Sequence, residues 1–162
     1  MKKILFVLLI CLVLCSCQPR RYDLHVHQPN ENVQKIELKD FSFNSKGDIL
    51  LTLTEDEIEP FMDELRTLKT YRLFGDPPSS HSYLTVVIYY NDGDRDSIGA
   101  DACFHVSEKP CDTHRACKYG LNSVGNAEMR EFFSHYVSKE LLPPADHRDR
   151  DEWKQRRDDS LA

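Results

Sequence analysis

Apolar side chains fall into one long run followed by several short, patterned stretches. The run is Ile4 to Cys15, about a dozen residues, and it is ended by Ser16, Gln18 and the pair Arg20 and Arg21. A helix rises about 1.5 Å per residue and needs roughly 20 apolar residues to cross a hydrocarbon core, so this run is too short to remain as a span. No later segment is apolar enough to be one. Residues 18–32 carry Pro19, Pro29 and several polar side chains without apolar periodicity, which predicts a tether rather than an element.

From Val33 the pattern becomes periodic. Ile36 and Leu38 alternate with Lys35, Glu37 and Lys39, and Phe41 and Phe43 then take the opposite parity, as expected of an edge-like strand with a bulge near Asp40. Asn44 to Asp48 has turn composition, and Ile49 to Leu53 has strand character. Thr54-Glu55-Asp56-Glu57 has the spacing of a capping box, and Ile58, Phe61, Met62, Leu65 and Leu68 follow on one helical face. Pro60 lacks the donor that a helix starting at Glu55 needs there, so the first turn is expected to be irregular or the start to shift to Glu59.

Tyr71 to Phe74 reads as a short strand and Gly75 to Ser80 as a loop. Tyr83 to Tyr90 is the strongest strand signal, β-branched or aromatic on both parities, and should be central. Asn91 to Asp94 predicts a hairpin turn, after which Ile98 to Val106 returns with Ala102, Phe104 and Val106 on one face and Asp101, Cys103 and His105 on the other. Asn126 can cap a last helix with Met129, Phe132, Phe133, Tyr136, Val137 and Leu141 as its stripe, ended by Pro143 and Pro144. The fold class is therefore α+β, an antiparallel sheet of about four to six strands packed against two helices over residues 33–144. Residues 145–162 alternate acids and bases around Trp153 and predict a charged tail, either a solvated helix or disordered.

Charge and composition then change the reading of the ends. Lys2 and Lys3 precede the apolar run, which is the layout of a signal peptide over residues 1–16. At its end, Leu14-Cys15-Ser16-Cys17 resembles the lipobox of bacterial lipoproteins, although Cys15 stands where a small or β-branched residue is usual. The resemblance implies that Cys17 carries a thioether-linked diacylglyceryl group, that the peptide ahead of it is removed, and that the new amine takes an acyl chain such as palmitate. Residues 17–32 would then be the lipidated cysteine and a flexible tether. Two or three acyl chains at roughly 0.8 kcal/mol per buried methylene hold firmly. The expected address is the cell membrane or outer membrane, with the domain facing the periplasm or exterior. Removal of Lys2 and Lys3 from 21 basic residues leaves 19 against 27 acidic, a formal net of −8, which excludes a nucleic-acid partner.

Candidate chemistry concentrates between Cys103 and Cys117. In an exported protein, Cys103, Cys111 and Cys117 are first read as a disulfide with one thiol left over. Cys103 could face Cys117 across a hairpin, or Cys111 could pair with Cys117 and staple the loop. The sharper alternative is a metal site of His105, Cys111, His114 and Cys117, with Cys103 available as another ligand. Tyr22-Asp23-Leu24-His25-Val26-His27 resembles the opening His-x-His strand of a barrel-shaped metal-dependent phosphoesterase family, but this chain lacks that family's length and downstream ligands. His25 and His27 remain weak binders of Zn²⁺ or Cu²⁺. Asn91, Asp92, Asp94 and Asp96 lack the glycine position and final glutamate of a calcium loop. Glu131 and His135, four apart, read as a surface helical pair.

No nucleophile elbow, Ser-x-x-Lys, His-Glu-x-x-His or phosphate loop occurs, so no catalytic residue and no cofactor is assigned. The expected role is a membrane-anchored, non-catalytic binding or interaction module with an envelope protein partner, using an aromatic patch of Tyr83, Tyr89, Tyr90 and Phe74. The alternative is a small metal- or thiol-dependent envelope enzyme using the Cys103 to Cys117 segment.

Overall fold

The computed structural model describes residues 21–41, 46–72, 84–99, 103–107, 122–144 and 152–156. Within them the chain forms two antiparallel sheets and two α-helices, an α+β fold as the periodicity predicts. The larger sheet has the order β3-β2-β5-β6-β7, from β2 (Val33–Asp40), β3 (Asp48–Thr52), β5 (Leu84–Tyr90), β6 (Arg95–Gly99) and β7 (Cys103–Val106). The smaller has the order β1-β4-β8, from β1 (Arg21–Asp23), β4 (Lys69–Arg72) and β8 (Asn122–Val124).

β5 is the middle strand, as its two-sided apolar sequence requires. Register places Ile36 opposite Ile88, Leu38 opposite Val86, and Val86 opposite Ile98, so one face of three strands is apolar and fully buried. α1 (Glu55–Leu65) and α2 (Asn126–Ser134) complete the core, where Phe61 meets Phe132 and Tyr136 at ring separations of 5.1 and 4.8 Å. α1 starts at Glu55 despite Pro60, because the Thr54 backbone N–H donates to Glu57 at 2.8 Å and secures the first turn. Gly125, not Asn126, is the N-cap of α2, and a side chain there would meet Glu128 at 3.0 Å.

Several expectations are corrected. β2 is interior rather than an edge, since β3 pairs with one side of it and β5 with the other. The return strand is two strands: β6 begins at Arg95, and β7 lies antiparallel beside it with Cys103 opposite Ile98 and His105 opposite Asp96. Cys103 therefore pairs across the sheet with Ile98, and its face, not that of Phe104 and Val106, is the buried one.

The predicted tether is also built in from Arg21. β1 pairs with β4 through Arg21 to Asp23, Leu24 enters the core, and a 3₁₀ turn at Asn30–Asn32 leads into β2. Strand pairing needs only backbone groups, so three exposed residues carried no apolar signal. In the predicted charged tail, residues 152–156 are helical, and Trp153 is buried with its indole N–H donating to the Glu140 carbonyl at 3.0 Å.

Candidate functional site

The β5–β6 hairpin and β7 gather four polar side chains at one end of the core-facing side of the larger sheet. Gly93, at φ 90°, closes the Asn91 to Asp94 turn, where the Tyr90 N–H donates to the Asp94 carbonyl at 2.9 Å. Alternation along β6 then sends Asp96 to the same face as Ile98. Because Ile88 stands opposite Asp96, and Asp96 opposite His105, both polar residues continue the apolar row inward.

Asp96 is the hub. One carboxylate oxygen faces Nδ1 of His105 at 2.8 Å; the other accepts the Tyr90 hydroxyl at 2.6 Å and the His27 backbone N–H at 2.7 Å. Those two donors into Oδ2 suit an ionised carboxylate, which in turn requires Nδ1 of His105 to carry the hydrogen. The other ring nitrogen, Nε2, faces Oδ2 of Asp94 at 3.4 Å. Asp94 is held from behind by the Ser107 hydroxyl, which donates to Oδ1 at 2.8 Å. Asp94, Asp96 and His105 are all buried.

The segment from Leu24 to Asn32 lies over this cluster. Gln28 donates to Asp92 at 2.9 Å, and the Asn91 N–H donates to the Asn32 carbonyl at 2.9 Å, which fixes the segment to the hairpin turn. His27 consequently stacks on His105 with ring centroids 3.6 Å apart and planes at 28°. The ligand atoms of His27, Asp94 and His105 all lie within 4.8 Å of one another, with His27 on the exposed side.

The sequence candidates separate in this geometry. Cys17, Cys111, His114 and Cys117 lie outside the described residues, as do Tyr83 and Phe74. His105 meets Asp94, Asp96 and His27 rather than Cys103. Cys103 is a free thiol in the apolar core, and burial, with a contribution from Asp96, pushes it up to about 12 against bonding to the Gly99 and Val124 backbone. It is not a ready nucleophile. Tyr90 leaves the proposed aromatic patch altogether, being 1% exposed, and Tyr89 is half-buried with its hydroxyl on Glu37. His135 pairs with Glu64 on α1 at 2.5 Å instead of with Glu131.

The grouping of Asp96, Tyr90 and His27 with His105 is not expected from a return strand starting at Ile98, three residues after the start of β6 at Arg95. The available signal was parity: Asp96 and Ile98 share a face.

No protein-family model, no curated protein and no solved structure matches the chain.

Proposed function

We propose that this chain is an exported lipoprotein, held by lipid on Cys17 to the cell membrane or outer membrane, whose α+β domain is a non-catalytic interaction module for an envelope protein partner. The observation that carries the reading is the continuous sequence Lys2-Lys3, Ile4 to Cys15, then Leu14 to Cys17, a charged start, an apolar stretch too short to span and a lipobox in order.

Geometry supports the non-catalytic part. Cys103, one thiol the enzymatic alternative would use, is buried and raised to about 12. Asp96 is committed to His105, to the Tyr90 hydroxyl and to the His27 backbone beneath the N-terminal segment.

The fold also shortens the expected reach. Strand β1 begins at Arg21, so three residues separate it from Cys17, and covalent geometry limits that separation to about 14 Å. The domain would ride against the bilayer rather than stand off it on a flexible tether.

Metabolic labelling with a fatty acid and membrane fractionation of the wild-type chain and of Cys17→Ser tests the anchor. The wild type should take label and stay with membranes after carbonate washing, and Cys17→Ser should lose both. Equal retention without label would overturn it. Cross-linking in cells followed by recovery of the chain should yield a defined envelope protein; turnover of a small substrate by the purified protein would favour the enzyme instead.

A further inference from the structure

We propose that His27, Asp94 and His105 form a binding site for one Zn²⁺ ion, which fastens the N-terminal segment to the β6–β7 end of the sheet.

The argument begins with Nε2 of His105 and Oδ2 of Asp94. These two atoms face each other 3.4 Å apart, longer than the usual nitrogen–oxygen hydrogen bond. Zinc bonds of roughly 2.0–2.1 Å to nitrogen and oxygen at a tetrahedral angle set two ligand atoms about 3.3 Å apart, so this pair already stands at ligand spacing.

The supporting shell is complete for both. Asp96 orients His105 through the nitrogen that does not face Asp94, the carboxylate–histidine arrangement that raises ligand basicity and fixes ring direction. Ser107 donates to the Asp94 oxygen that does not face His105, which fixes Oδ2 toward that ring. Asp96 also takes the His27 backbone N–H, so one buried carboxylate positions both histidines. The third ligand atom lies within 4.8 Å of the others on an exposed ring that stacks on His105, and ligation would turn that ring toward the pair.

Two imidazoles and one carboxylate select among metals. Calcium and magnesium need six or more oxygens or a mostly aqueous octahedron, which this set does not offer. Nitrogen-rich, four-coordinate surroundings suit zinc, with water in the fourth position on the open side of His27. The site joins parts of the chain far apart in sequence, residue 27 from the N-terminal segment and residues 94 and 105 from the β5–β6 turn and β7. Metal occupancy therefore ties the segment around His27 to the core. This inference does not rest on the lipid anchor, and its failure would leave the Cys17 result unchanged.

The test uses the full chain, purified in detergent and stripped with chelator, then titrated with Co²⁺ and Zn²⁺. One equivalent of Co²⁺ should give visible bands of tetrahedral intensity with no thiolate charge-transfer band, and one equivalent of Zn²⁺ should abolish them. Zinc at a hundredfold excess over its Kd should raise the thermal midpoint by roughly 5–10 °C. His27→Ala, at an exposed position that leaves the sheet intact, should weaken zinc at least tenfold. Asp96→Asn, a positioning change, should weaken it about 10–100-fold, while His25→Ala should bind as the wild type does. No saturable binding, wild-type affinity in His27→Ala, or a thiolate band that reassigns the metal to cysteines would each overturn the proposal.

Discussion

Tyr90 donates its hydroxyl to Oδ2 of Asp96 at 2.6 Å, from within the apolar face of the central strand. Asp96 is 2% exposed and takes two further polar contacts, from His105 and from the His27 backbone. A buried carboxylate is tolerated only while such partners replace its water. Tyr90→Phe keeps the ring and deletes one donor, so urea unfolding should report a loss of about 1–3 kcal/mol. A change below about 0.5 kcal/mol would mean that the remaining two contacts suffice.

On the opposite face of the same strands, Glu37 makes a second charged network. Lys35 and Lys39 approach its two oxygens at 2.8 and 2.9 Å, and the Tyr89 hydroxyl donates at 2.8 Å. Burial alone would push the Glu37 carboxyl up, but the bonds from Lys35, Lys39 and Tyr89 together outweigh it and hold it down at about 2, against an ordinary 4.5. A folded-state value below the unfolded one gives stability that is present above pH 4.5 and lost as pH falls toward 2. The wild type should lose about 2–3 kcal/mol more between pH 6 and pH 2.5 than Glu37→Gln does. Parallel pH slopes for the two proteins in urea titrations would remove Glu37 as the source.

The same two networks show what the sequence made legible. Strand β5, the Asn91 to Asp94 turn and the capping box at Thr54 were readable because each rests on local chemistry: two-sided β-branched composition, a glycine at φ 90°, and a glutamate three residues past a threonine. The interior place of β2 was hidden because charged alternation normally marks an edge, whereas here Glu37, Lys35, Lys39 and Tyr89 satisfy one another across strands. His105 was singled out, but its partners were sought among nearby cysteines. Asp96 comes to it by register and His27 by the docking of a distant segment, and no local spacing encodes either. Trp153 was noted as the lone apolar residue of its region, and that solitude conceals its burial against the stretch after α2.

Leu24 decides whether residues 21–32 are a leash or part of the body. It is 7% exposed and belongs to the core cluster, two residues beyond the midpoint of a strand whose own side chains are all exposed. Backbone pairing of three residues to β4 is marginal alone, so the anchoring force on this segment is the burial of Leu24, together with the bonds of His27 and Gln28. Leu24→Ala should cost about 2–3 kcal/mol in global unfolding, and proteolysis of the native protein should move to bonds within residues 21–32. A free leash would behave otherwise: the substitution would leave unfolding within about 0.5 kcal/mol of wild type, and the native protein would already be cut there. Because His27 lies three residues beyond Leu24, release of the segment should also withdraw one ligand from Asp94 and His105. Leu24→Ala should therefore weaken zinc along with stability, although residue 24 touches no metal.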